Sequence, residues 1–213
     1  IADLKLPVEF ATALDEVIKR DGWKVLWIRR PKATGKYVYW WDLNTGICKV
    51  SSIHGSIHGS IHGSWTQGFE QADSWTFPQD VGLSAPSVLV CTHGSRDRCC
   101  GVLGGVVFRQ LSQLLGDVVW QVTHLGGHRF APTALCLPLG LLLGRIDTDD
   151  SMAIVSAVMT NSIGPLRTEI VRGDVRLTKS EQARQLWLRE QKGVLDAVSK
   201  TEGVESFSWT DES

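Results

Sequence analysis

The feature that most restricts this chain is a five-residue apolar run that ends in a cysteine and passes straight into a polar loop and then a helical pattern. Ser87-Val-Leu-Val-Cys91 is uncharged and bounded by polar sequence, as a buried strand is. Thr92–Arg98 is the loop. From Gly101 to Leu115, apolar residues fall at 102, 103, 106, 107, 111, 114 and 115, and Gly116 stands where a helix C-cap belongs. Further strands are predicted at Val118–Val122, Ala131–Leu137 and Leu141–Ile146, with Gly140 as the turn before the last. Asp149, Asp150 and Ser151 suit the start of a helix over Met152–Thr160. Thr178–Val198 reads as a long amphipathic helix: Thr178 and Glu181 form a capping box, and Ala183, Leu186, Trp187 and Leu195 share a face. The order strand, helix, strand, hairpin strand, strand, helix, helix describes an α/β protein, a small sheet covered by helices and compatible with a thioredoxin-like layout.

Composition narrows the function classes. The 213 residues carry 22 basic and 23 acidic side chains, a net charge of -1, without the basic surplus that nucleic-acid binding needs. No uninterrupted apolar run reaches the roughly 18–20 residues of a membrane span; Thr133–Ile146 is broken by Pro138 and Gly140. Cys48, Cys91, Cys99, Cys100 and Cys136 make an odd, sparse set, which points to a reducing, intracellular compartment, cytoplasmic or mitochondrial. Residues 1–20 lack the apolar block of a secretion signal and read as a short amphipathic helix.

Four regions follow: a Trp-rich β segment at 1–50, a low-complexity linker at 51–74, an α/β domain at 75–200 and a polar tail at 201–213. In the linker Ser-Ile-His-Gly occurs three times, and the glycines and serines make a helix aligning His54, His58 and His62 costly. Six of nine tryptophans precede residue 80. Trp23, followed by Tyr37, Tyr39, Trp40, Trp41, Asn44 and Gly46, resembles a WW domain, which implies a Pro-rich peptide as partner. The first loop is longer than usual, Val50 stands where the second signature Trp belongs, and no closing Pro follows. The alternative is a hairpin whose aromatics pack on the main domain.

Two segments concentrate metal-ligand residues. One is Cys91-Thr-His-Gly-Ser-Arg-Asp-Arg-Cys99-Cys100-Gly101, the other His124-Leu-Gly-Gly-His128. Each follows a predicted strand, so both loops reach the same sheet edge if those strands are parallel neighbours. The Gly-Gly pair disfavours a helix and suits a loop that wraps a cofactor. A Cys-x2-4-Cys zinc spacing does not link Cys91 and Cys100. A 2Fe–2S centre can take Cys on one iron and His on the other. Spacing alone leaves zinc, iron–sulfur and no metal open, the last being a strand-end thiol and two hydrogen-bonded loop histidines. Around these, His93 reads as loop packing, Arg96 and Asp97 as a loop-fixing pair, Arg129 as a charge offset or surface residue, and Cys136 as core. Cys48 has no visible partner. Gly101-x-x-Gly104-Gly105 lacks a phosphate-loop Lys and reads as close helix packing. Arg172-Gly-Asp174 is a frequent chance match to an adhesion tripeptide.

The ordered runs VCTHGSRDRCCG, HLGGHRFAPTALCLPLGLLLGRID and VRGDVRLTKSEQARQLWLRE closely resemble the sucrase/ferredoxin-like family over about residues 75–195. That resemblance implies a thioredoxin-like ferredoxin with a 2Fe–2S cluster on Cys91, Cys100, His124 and His128, with Cys99 the alternative to Cys100. It implies an electron carrier that meets a redox partner protein rather than a catalyst. Two imidazoles in place of thiolates remove two negative charges, so the potential should exceed that of all-Cys ferredoxins and depend on pH. The competing classes are a thiol-dependent redox enzyme using Cys91, Cys99 or Cys100, and a zinc-stabilised interaction module. No paired carboxylates suggest glycosidase chemistry.

Overall fold

The structure, a computed structural model, describes residues 12, 15–16, 18–20, 24, 26–31, 37–42, 47–52 and 86–192; within 37–42 and 47–52 it describes the backbone and the Trp41 side chain. Its strands are β1 (Ile28–Arg29), β2 (Tyr37–Asp42), β3 (Ile47–Ser52), β4 (Ser87–Cys91), β5 (Val119–Val122), β6 (Thr133–Leu137), β7 (Leu141–Gly144) and β8 (Val171–Asp174). Helices that can be given bounds among the described residues are α1 (Arg98–Leu115), α2 (Ser151–Thr160) and α3 (Lys179–Lys192), and residues 12, 15–16 and 18–20 are helical too. Six strands form a mixed sheet in the order β1-β5-β4-β6-β7-β8, in which β4 and β5 run parallel and every other pair antiparallel. β2 and β3 make a separate antiparallel hairpin.

β4 and β6 are buried along their whole length, as expected of central strands with no charge in them. Strand alternation sorts their side chains into two cores. Val88, Val90, Ala134 and Cys136 pack with Val107, Phe108 and Leu111 of α1 and with α2. Leu89, Cys91, Leu135 and Leu137 pack with Cys100, Trp120, Val122 and Leu125. Cys136 is the buried core residue its sequence context suggests. Burying Val107, Phe108 and Leu111 yields roughly 1.5–3 kcal/mol each. That outweighs the ~1 kcal/mol each of Gly101, Gly104 and Gly105 costs inside a helix. Arg98–Val118 is long and apolar enough to cross a membrane; in this fold its α1 portion is the crossover between two parallel strands.

Several boundaries move for identifiable reasons. α1 starts three residues early because Asp97 caps it, accepting the Cys100 amide at 3.1 Å. Gly116 closes it at φ +62°, its amide donating to Ser112. β7 stops at Gly144, where Arg145 turns to φ +56° and the chain enters a capping box of Asp147 with Asp150. Asp150 therefore makes no side-chain cap of α2: its carboxylate accepts the Asp147 amide at 2.7 Å and Arg167 at 2.6 and 2.8 Å. The Thr178–Glu181 box forms as expected, with Thr178 donating at 2.8 Å and the Glu181 amide returning at 3.3 Å. Leu186 packs on the core, but Trp187 is 48% exposed and off that face. Leu195, the His repeat and the tail lie outside the described residues.

Two strands were not expected. β8 pairs with β7 across a bulge between Leu142 and Leu143. It contains Arg172-Gly-Asp174, with Gly173 and Asp174 buried, so the tripeptide is part of the sheet. β1 pairs with β5, so the sheet draws a strand from the segment before residue 50. Among the described residues the Trp-rich hairpin has two strands, and Trp41 packs against the second core with Leu26 and Ile28.

Candidate metal centre

β4 and β5 carry the two ligand loops. Because they are parallel neighbours, paired Cys91 to Val122, the segments that follow them leave the same edge of the sheet. The Thr92 amide extends the pairing to Val122 at 3.2 Å. The chain then turns: the amides of Arg96 and Asp97 both donate to the His93 carbonyl, at 3.2 and 3.1 Å. Asp97 opens α1, which sets Cys100 in its first turn, facing inward, and leaves Cys99 exposed. Asp97 is held by the Cys100 amide; among the described residues it makes no ion pair with Arg96.

Glycines let the helix reach the strand end. A Cβ on Gly104 would lie 2.0 Å from the Cys91 carbonyl oxygen, and one on Gly101 would lie 2.6 Å from Gly94 Cα. Both are backbone contacts that cannot swing aside. Close packing is thus the use of Gly101-x-x-Gly104.

The second loop follows another logic. Gly126 and Gly127 have φ +96° and +64°, the region glycine enters without penalty. Leu125 is buried as an anchor, and its carbonyl accepts the Lys24 ammonium at 2.9 Å. Burial holds the Lys24 pKa below its ordinary value. The Thr123 amide donates to the Trp27 carbonyl at 2.9 Å, and the Trp27 amide returns to Thr123 Oγ1 at 3.1 Å. Arg30 stacks over Trp120 at 4.4 Å. The segment around β1 thus braces the histidine loop, a role that sequence reasoning missed and that only the aromatic density of the N-terminal region hinted at.

These loops bring one ligand atom each of Cys91, Cys100 and His124 within 4.8 Å of one another. The His128 ring lies 5.9 Å from the His124 ring, centroid to centroid, tilted 35°. The cysteines are fully buried, His124 is half-buried and His128 is exposed. His128, Cys99 and His93 are not in the close group. The Cys100 thiol is pushed up to about 12, first by burial and then by Cys91. His124 is held below its ordinary value, first by burial and then by Arg96. A neutral imidazole is the form that ligates a metal. His124 Nδ1 is buried without a hydrogen-bond partner among the described residues. An orphaned buried nitrogen beside two buried thiols fits a metal, which would replace the thiol protons and use a nitrogen lone pair.

A mixed sheet with Cys91 at the end of one parallel strand, Cys100 in the helix that follows and His124 in the loop after the other defines an α/β protein with a candidate soft-metal site. The chain belongs to the sucrase/ferredoxin-like family, which matches residues 11–173. Two curated relatives are both named altered inheritance of mitochondria protein 32. That of Meyerozyma guilliermondii is 31% identical over 108 residues, 46% of this chain and 38% of the relative. That of Debaryomyces hansenii is 29% identical over 107 residues, with the same shares. The matched stretch thus spans 38% of the length of each relative. No solved structure matches the chain.

Proposed function

We propose that this chain is an intracellular electron carrier, cytoplasmic or mitochondrial, that holds a 2Fe–2S cluster on Cys91, Cys100, His124 and His128. The observation that carries the reading is the meeting of Cys91, Cys100 and His124 ligand atoms within 4.8 Å. The His128 ring beside them offers a second imidazole. The relatives' names mention mitochondria, which supports the compartment in this reading. The parallel β4–α1–β5 unit followed by antiparallel β6 and β7 and then α2 supports a thioredoxin-like reading of the fold.

When bound, such a cluster takes up and returns one electron. The chain's residues set the terms. Cys91 and Cys100 supply two thiolate charges on the buried side, where Leu89, Leu137 and Trp120 exclude water. His124 and His128 supply neutral imidazoles on the open side, so the protein contributes two fewer negative charges than four cysteines would. This favours reduction relative to an all-Cys site. An exposed His128 imidazole can pass a proton to solvent at its free ring nitrogen. Burial of Cys91 and Cys100, with the Cys100 thiol protonated in the metal-free chain, weighs against either as an enzyme nucleophile, which needs an accessible thiolate; exposed Cys99 lies outside the close group.

Purification without air, followed by an absorption spectrum and iron, sulfide and zinc analysis, tests the reading. Two irons and two sulfides per red-brown chain are expected; a colourless chain with one zinc assigns the site to a zinc-stabilised module instead. For the iron-loaded chain, the potential should fall with rising pH by up to about 59 mV per unit for one proton per electron. His128→Cys should lower it by on the order of 100 mV. A pH-independent potential would overturn histidine ligation.

A further inference from the structure

We infer that the arginines gathered around Phe130 form the docking surface for an acidic partner protein, seated over the histidine edge of the site. The inference rests on the electron-carrier reading. The guanidinium carbons of Arg129, Arg145 and Arg172 lie 5.0, 5.3 and 4.8 Å from the centroid of the Phe130 ring. They arrive from three parts of the fold: the turn His128–Phe130, the end of β7, and β8.

The fold builds this arrangement. The Arg145 amide donates to the Phe130 carbonyl at 2.7 Å. A Cβ on Gly144 would lie 2.9 Å from Phe130 Cβ and 3.2 Å from Arg172 Cγ, so glycine there lets both close in. Stacking on the ring offsets part of the repulsion among the cations. Among the described residues no carboxylate pairs with these three arginines, and Asp150 is committed to Arg167. Arg172 Nε is buried with no acceptor among those residues. Burial and the neighbouring Arg145 and Arg167 hold the Arg172 pKa below its ordinary value.

A chain of net charge -1 concentrates positive charge here locally. The place is significant, since Phe130 is two residues from the exposed His128. Exposed Arg129 places positive charge directly beside the exposed ligand candidate His128. Charges presented from three elements around a half-buried ring suit a face with several carboxylates, whose attraction orients an encounter and speeds it.

The test uses the full chain and a fluorescent hexaglutamate peptide at low salt. Replacing all three arginines, R129Q/R145Q/R172Q, should weaken binding roughly tenfold or more. The control R109Q/K179Q/R184Q removes the same charge elsewhere and should change it less than about twofold. Because Arg172 is half-buried, R129Q/R145Q serves as the second variant and should show a smaller loss in the same direction. For iron-loaded protein, reduction by reduced flavodoxin, an acidic donor, should slow in the triple variant and with added salt, while reduction by a small neutral reductant is unchanged. Equal losses in both triple variants, no loss in either, or a preference for short duplex DNA over hexaglutamate would overturn the proposal. Colourless protein that still binds through these arginines keeps the docking surface and overturns electron transfer. Normal redox behaviour without selective binding does the reverse.

Discussion

The cysteine side and the histidine side of the candidate centre differ in how much of the fold holds them. Cys91 ends a central strand, and Cys100 sits in the first turn of a helix pressed on that strand, with backbone atoms in contact through Gly94, Gly101 and Gly104. His124 and His128 lie on a loop with two left-handed glycines, braced from outside by Lys24 and Trp27. One side is buried and apolar; the other runs from half-buried His124 to exposed His128, next to Arg129. An electron carrier has use for both, a fixed half that keeps water out and an open half that a partner and a proton can reach.

The sharpest way to break this contrast is to remove one buried thiol and compare its exposed neighbour. Cys100→Ser should abolish metal binding, while Cys99→Ser, at an exposed position outside the close group, should load normally. Metal per chain after anaerobic purification decides it. Equal loss in both variants would sink the assignment of Cys100. Next in size is Gly104→Ala. Its new Cβ would meet the Cys91 carbonyl oxygen at 2.0 Å, and neither backbone can yield cheaply. Overpacking of this kind costs about 3 kcal/mol or more. A fall in Tm of roughly 10 °C should follow, with reduced loading because the strand end carrying Cys91 moves.

pH should separate the two sides in the metal-free chain. Cys100 is raised in the folded state from 9.0 to about 12, so the stability it contributes is full below pH 9.0 and is lost as pH climbs toward 12. Cys136 shifts the same way through burial. If Cys100 ligates the metal, it is a thiolate in the loaded chain and no longer titrates, so only the Cys136 share of the alkaline loss should remain. His124 has the opposite sign. Its folded pKa lies below 6.5, so its contribution is present above that value and is lost as pH falls beneath it. Urea midpoints of metal-free and loaded protein from about pH 5 to 11 measure both limbs. An alkaline limb unchanged by metal would mean that Cys100 is not a ligand.

The cysteine side was more legible in the sequence than the histidine side, for a physical reason. A buried strand, a capped helix and their ligands are local patterns, and Ser87–Cys91 matches its expected bounds residue for residue. The meeting of the two loops followed from parallel neighbours, and close packing by Gly101 and Gly104 followed from their small size. What was not legible depends on pairing across the chain. Val171–Asp174 carries charge at alternate positions and a Gly at φ +134°, and becomes a strand because β7 offers it an edge. Nothing local connects Lys24 with Leu125, 101 residues away. The arginines around Phe130 are likewise separate in sequence and adjacent only once β7 and β8 pair. Trp187 misleads because a large aromatic at helical spacing looks like core, whereas here Leu186 takes that place.

The smallest expected effect is the most direct comparison with Gly104. Gly126→Ala adds the same methyl group to the other side, where nothing lies within 4 Å of the new Cβ. Steric overlap is therefore absent, and the cost is conformational: φ +96° is outside the range an alanine adopts without strain. That is worth roughly 1–2 kcal/mol, a Tm shift of about 5 °C. Loading should persist, because the loop can relax toward solvent without moving β4 or α1. The pair of alanines thus distinguishes a packed contact from a permitted backbone conformation. If Gly126→Ala destabilises as much as Gly104→Ala, the histidine loop is held as tightly as the cysteine end, and the division of the site into a fixed half and an open half fails.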